Sequence, residues 1–309
     1  MVKDKVAWPR LLFYFRGTSL ERTWPRVLVV TVVSVVVTYV ELYYNIEKYT
    51  LTTTPFTLIG IALGIFLGFR NNAAYDRFWE GRKLWGALVN TARTLARQAY
   101  SLIDGAHDDK ALQQFREAFV RRVIAFVHAM RCHLRHEDPA AEIQKFLSAA
   151  DCSAVLASTH RPLTILQQLG RDLAYARNQG WLHELNLPFI DAQLVELSNI
   201  LGACERINNT PIPFTYSILI HRIVAVYCLF LPFGLVEISG VLTPIVVLFI
   251  SYAFFELDAI GDEIENPFGK DPNDLPLSTI SRTIEINLLE LINSPEKPEP
   301  LKPKNNILL

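Results

Sequence analysis

The chain has 309 residues, half of them hydrophobic, with 30 Lys plus Arg against 31 Asp plus Glu and a formal net charge of −1. A hydrophobic share of this size at near-zero charge points to membrane residence. The same balance leaves no cationic excess to neutralise phosphates, which argues against a nucleic-acid partner.

Residues 1–26 form a basic segment carrying Lys3, Lys5, Arg10, Arg16, Arg22 and Arg26. The first apolar run, Val27 to Tyr44, is long enough as a helix to cross a hydrocarbon core of about 30 Å. Its valines and threonines favour strand in water, but lipid requires every backbone group to be satisfied within the segment, which selects helix. Trp24 and the aromatics from Tyr39 to Tyr44 suit the two membrane interfaces. No small-residue cleavage pattern follows, so the run reads as a retained membrane helix rather than a signal peptide.

The second apolar run, Phe56 to Phe69, contains the stretch "GIALGIFLGF". Gly60, Gly64 and Gly68 share one helical stripe, and Ile61, Ile65 and Phe69 share the stripe beside it. Each mid-helix glycine costs about 1 kcal/mol relative to alanine, so three of them need a reason. One reading is close helix packing through small residues, with the large neighbours facing lipid or core. The other is a ring of such helices, packed through their glycines, that turns Ile61, Ile65 and Phe69 inward as stacked apolar collars. The helical period continues past Arg70, so a membrane helix is expected to run on into a soluble domain.

From residue 70 to 220 the pattern is amphipathic and helical, punctuated by turn signals at "DGAHDD", "HEDP" and "RNQG". Two more apolar runs, His221 to Leu242 with Pro232 inside and Thr243 to Leu257, meet at a short seam and predict a membrane hairpin. The expected organisation is all-α: spans one and two in 27–69, a helical cytoplasmic domain in 70–220, spans three and four in 221–258, a cytoplasmic segment in 259–294 and a Pro/Lys-rich tail in 295–309. That tail is expected to be extended unless it lies along a neighbouring surface. Basic residues crowd the N-terminal and central regions, whereas the outer loops hold only Lys48, which places both termini in the cytoplasm.

Motifs for chemistry are sparse. Cys132, Cys152, Cys204 and Cys228 form no CxxC pair and read as reduced structural thiols. His128, His133 and His136 are awkwardly spaced for one metal-binding face, so satisfied or solvated histidines are the preferred reading. Glu256, Asp258, Asp262, Glu263 and Glu265 either bind calcium or, as preferred, meet nearby arginines at the membrane edge. No phosphate loop and no HExxH occur, and no inverted repeat marks a secondary transporter. No enzyme activity, cofactor or metal is expected.

"FRGTSLERTW", "LIGIALGIFLGFRNNAAYDRFWEGRKLWG" and "DEIENPFGKDPNDLPL" resemble the bestrophins, in particular their bacterial members. The resemblance covers about 11 to 290. It implies a homopentameric ion channel of the bacterial inner membrane, with four membrane helices per subunit and the lipid bilayer and permeant monovalent ions as its other partners. It also implies that Ile61, Ile65 and Phe69 line a narrow pore neck while Gly60, Gly64 and Gly68 pack helices. A second constriction, at the cytoplasmic mouth, maps onto "ELNLPFIDAQL", with Leu187 as the candidate.

Two departures from animal bestrophins matter. Their calcium clasp uses an acidic run after the Asn-Pro-Phe-Gly motif, but here it reads Lys270, Asp271, Pro272, Asn273, Asp274, so calcium-independent gating is expected. Their middle collar is phenylalanine, whose positive ring edge favours anions, whereas Ile65 offers no such dipole. The expectation is therefore a preference for cations such as sodium, with chloride conduction as the alternative. The competing class is a helical membrane scaffold that conducts nothing.

Overall fold

The computed structural model describes residues 15, 17–44, 52–105 and 110–303. Most of the basic N-terminal segment, Lys48 and the end of the tail lie outside the described residues. Helix α1 spans Leu20–Tyr44, α2 Thr53–Ser101, α3 Lys110–Leu134, α4 Ala140–Ile143, α5 Ala149–Leu156 and α6 Arg161–Asn178. They are followed by α7 Leu187–Asn209, α8 Phe214–Ser239, α9 Thr243–Glu265 and α10 Leu277–Leu291. Among the described residues the only β pairing is an isolated bridge between Ile103 and Leu182.

α1 is built inside out relative to a helix in water. Its buried stripe is Thr23, Val27, Val30, Ser34 and Thr38, while Leu28, Val29, Val32, Val35 and Val36 are exposed. Small and weakly polar side chains meet neighbouring helices and the large apolar ones face outward, which is the arrangement expected in lipid. Trp24 near its start and Tyr39, Tyr43 and Tyr44 near its end are exposed at the two levels where aromatic belts form.

α2 runs unbroken for 49 residues, so the expected continuation past Arg70 is present. Its first half joins an apolar cluster made by all four long apolar helices, through Val27 and Val30 of α1, Phe56, Leu63 and Leu67 of α2, Val224, Tyr227 and Leu231 of α8, and Val247 and Phe255 of α9. Its second half, with Trp85, Leu88, Ala92, Leu95 and Ala99, belongs to a larger core shared with α3, α6, α7 and α10. One helix therefore carries two hydrophobic cores.

Chain reversal between α8 and α9 depends on Gly240, whose φ of 50° is costly for any residue with a Cβ. A 3₁₀ turn over Gly240–Leu242 follows, and Pro244 then fits the first turn of α9, where its missing N–H costs nothing. α8 and α9 pack against each other, as the expected hairpin requires. Both run further than the apolar pattern predicts, α8 beginning at Phe214 rather than His221 and α9 ending at Glu265 rather than Leu257. The reason is that the polar residues marking those predicted ends are paired inside the structure, so they do not stop the helices.

The turn signals "HEDP" and "RNQG" both fall at helix ends, with His136 at φ 54° and Gly180 at φ 75°. Residues 295–303 carry no helix or strand, and their side chains are exposed apart from the partly covered Pro298. All four cysteines are free and buried.

Candidate functional site

The stripe geometry of α2 follows from which side chains α8 and α9 cover. Leu63 and Leu67 are 3% and 1% exposed, while Ile61, Ile65 and Phe69 are 60%, 54% and 64% exposed. The subunit thus presents three large apolar side chains, one turn apart, on a face left largely open among the described residues. The glycines beside them divide. A Cβ on Gly60 would stand 2.7 Å from the Tyr227 hydroxyl of α8, so Gly60 permits a close approach within the subunit. A Cβ on Gly64 or Gly68 would meet no atom of the described residues of the same chain within 4 Å. Only Gly60 therefore packs helices inside one subunit.

Immediately below Phe69 lies a charged cluster that no local motif announces. The Arg70 side chain is fully buried and donates from Nη1 to Asp258 Oδ1 at 2.8 Å and to the Asp258 carbonyl at 3.3 Å, while Nη2 bonds Asp262. His221 of α8 completes it, with Nδ1 2.6 Å from Asp258 Oδ2 and Nε2 3.3 Å from Asp262 Oδ2. Asn71 donates to the Leu257 carbonyl at 2.9 Å. A buried guanidinium is tolerable only with such partners. The cluster clamps α2 to α8 and α9 just past the apolar stripe.

The remaining carboxylates of α9 are also engaged. Glu256 accepts from the hydroxyls of Ser19 at 2.5 Å and of Thr23. Glu263 accepts from Asn273 at 3.1 Å, and Glu265 accepts from the Ile212 N–H at 2.8 Å. The loop after α9 follows the same logic. Arg22 donates to Asp271 at 2.8 Å, Lys270 pairs with Glu137, and Asp274 accepts the Asp271 N–H at 2.7 Å. Burial pushes the Asp274 carboxyl up to about 6.

Leu187 opens α7 and leans partly buried on the larger core, while Leu185 and Phe189 on either side are exposed. The three histidines considered from sequence go separate ways. His128 is buried with Nε2 3.0 Å from Glu285 Oε2 and stacks on Phe146. His136 sits in the turn after α3. His133 meets His160 and Glu205, two residues that spacing along the chain did not single out.

The chain is similar in sequence and fold to known proteins. The family model described as bacterial/fungal bestrophin protein matches residues 1–290. A voltage-dependent anion channel-forming protein of Ralstonia nicotianae is 43% identical over 295 residues, covering 96% of this chain and 95% of that protein. The voltage-dependent anion channel-forming protein YneE of Escherichia coli K12 is 36% identical over 309 residues, covering 100% and 99%. The crystal structure of a bacterial bestrophin homolog from Klebsiella pneumoniae, carrying one substitution, superposes with a TM-score of 0.80 at 37% identity, covering 86% of this chain and 97% of that one. Three stretches of the described residues, Leu20–Tyr44, Thr53–Ser101 and Phe214–Glu265, are long and apolar enough to cross a membrane. The chain is a membrane protein that belongs to the bestrophin family of ion channels.

Proposed function

We propose that this chain assembles as a homopentamer in the bacterial inner membrane and conducts small monovalent ions passively. The four spans are α1, α2, α8 and α9, and both termini lie in the cytoplasm. Ile61, Ile65 and Phe69 line the neck, Gly64 and Gly68 face a neighbouring copy, and the start of α7 around Leu187 forms a cytoplasmic aperture. The observation that carries this reading is the uncovered collar stripe of α2. Exposed large apolar side chains at one-turn spacing, on a helix held by α8 and α9 along its other face, suit a narrow pore that gates by dewetting.

Anions are the favoured permeant class, because relatives that align over nearly the whole chain are named as anion channel-forming proteins. The cation reading has its own support. No aromatic edge stands at Ile65, and the exposed Asp76 continues the stripe seven residues below Phe69. Reversal potential of the purified protein in a planar bilayer under asymmetric sodium chloride decides between them. A value near the chloride potential supports the proposal, a value near the sodium potential reverses the selectivity, and absence of current together with a monomer or dimer by native mass spectrometry favours a scaffold.

Calcium independence fits the loop after α9, whose side chains are taken by Arg22, Glu137, Glu263 and the loop's own backbone. No cofactor enters the proposed mechanism. Substituting Ile65→Ala widens the middle collar, so single-channel conductance is expected to rise. An unchanged conductance places the narrow point elsewhere.

A further inference from the structure

His133 lies in the last turn of α3, His160 immediately precedes α6, and Glu205 projects from the penultimate turn of α7. These three helices pack on one another, so residues distant in sequence are held together by rigid elements. His133 Nε2 and His160 Nε2 each stand 2.7 Å from the same oxygen, Glu205 Oε1. The imidazole centroids are 4.7 Å apart. Their ligand atoms lie within 4.8 Å of one another.

We propose that His133, His160 and Glu205 form a site for a divalent transition metal of the zinc class on the cytoplasmic domain. Two imidazoles and one carboxylate are a donor set that zinc accepts with a fourth position left to water. Ligand atoms around a tetrahedral zinc stand roughly 3.4 Å apart, given bonds near 2.0–2.1 Å. The present contacts of 2.7 Å to Glu205 Oε1 lie about 0.7 Å inside that spacing. A metal replaces the two shared contacts to Glu205 Oε1 with coordinate bonds and brings a cation to a carboxylate that has no Arg or Lys partner among the described ion pairs.

The surroundings suit entry and hydration. All three side chains are partly exposed. A cavity of about 280 Å³ opens beside His133, which lines it with His136, Ser158 and Thr159 among others. The guanidinium of Arg161, the residue after His160, is engaged by Asp138 at 2.8 Å. Coordination has one local cost. His160 Nδ1 accepts the Leu163 N–H at 3.3 Å, and binding through Nε2 moves the imidazole proton to Nδ1 and releases that long contact.

The test uses the purified full-length channel, stripped with chelator and titrated with zinc chloride by calorimetry. One zinc per subunit is expected, with affinity weakened at least about tenfold in each of His133→Ala, His160→Ala and Glu205→Gln. His183→Ala, an exposed histidine outside the cluster, is expected to bind as the unaltered protein does. Cobalt supplies a second readout, since a site of this kind gives it a tetrahedral visible spectrum. Anomalous scattering at the zinc edge from soaked crystals of the unaltered protein needs no variant and is expected to peak between the three side chains. The proposal is overturned if zinc binding is absent, if the three variants retain it, or if the anomalous peak lies elsewhere.

Discussion

Arg70 shows how much one side chain can commit a helix. Its guanidinium is buried between Asp258 and Asp262, and Arg70→Ala leaves those carboxylates facing His221 alone. Truncating one partner of a buried ionic cluster costs about 3–5 kcal/mol, so a marked drop in thermal midpoint in detergent is expected. Asp274 makes a different prediction. Burial raises its carboxyl from the ordinary 3.8 to about 6, so the folded state holds the proton more tightly than the unfolded chain. Its contribution to stability is therefore greatest below about pH 4 and is lost as pH rises through about 6, a swing of the order of 2–3 kcal/mol. Asp274→Asn keeps an oxygen to accept the Asp271 N–H and removes the titration, so unfolding midpoints measured between pH 4 and 7 should depend less on pH. That Asp258 and Asp262 meet an arginine was expected from sequence and is found, but which arginine was not legible, nor was the burial of Asp274. Asp258 and Asp262 are 188 and 192 positions from Arg70, and no local pattern encodes such a pairing. The stripe of Ile61, Ile65 and Phe69 was legible, because helical periodicity acts over a few residues and sets the face directly.

At the level of elements, helices were legible wherever apolar spacing repeats, and their ends were not. His221 and Asp258 read as polar boundaries, yet they lie inside α8 and α9 because each neutralises the other's cost. The glycine stripe was legible as a stripe but not as two environments. Gly60→Ala should crowd the Tyr227 hydroxyl and destabilise by about 1–3 kcal/mol, and adding Tyr227→Phe should recover much of the loss. Gly64→Ala meets nothing among the described residues of its own subunit and gains helix propensity. Denaturation of the purified variants separates these outcomes. An equal loss at Gly64 would show that it is packed as closely as Gly60, against the neighbouring copy proposed for that face.

Across the whole molecule, the two hydrophobic cores have α2 in common, so their stabilities should be coupled. Tyr75 is exposed on α2 between them, and Tyr75→Pro removes a backbone hydrogen bond while sparing both cores, at a cost near 3 kcal/mol. Hydrogen exchange should then show protection falling in both cores together. A fall confined to one core would mean that they fold as separate units. The expected all-helical plan was legible throughout the described chain. The continuation of α2 past Arg70 was legible too, because its helical period does not break there; what the sequence did not disclose is which helices close each core around it.

The uninterrupted length of α2 has a mechanical meaning. At 1.5 Å per residue its 49 residues make a rod of roughly 73 Å. A rotation of such a rod by about one degree about one end moves the other by roughly 1.3 Å, comparable to the radius of a water molecule. The Arg70 cluster sits where α2 is gripped from two sides, in the manner of a fulcrum. About that pivot a one-degree tilt moves Ser101 by roughly 0.8 Å but Ile61, nine residues away, by only roughly 0.2 Å, so the cluster steadies the collars against motion deep in the cytoplasmic half.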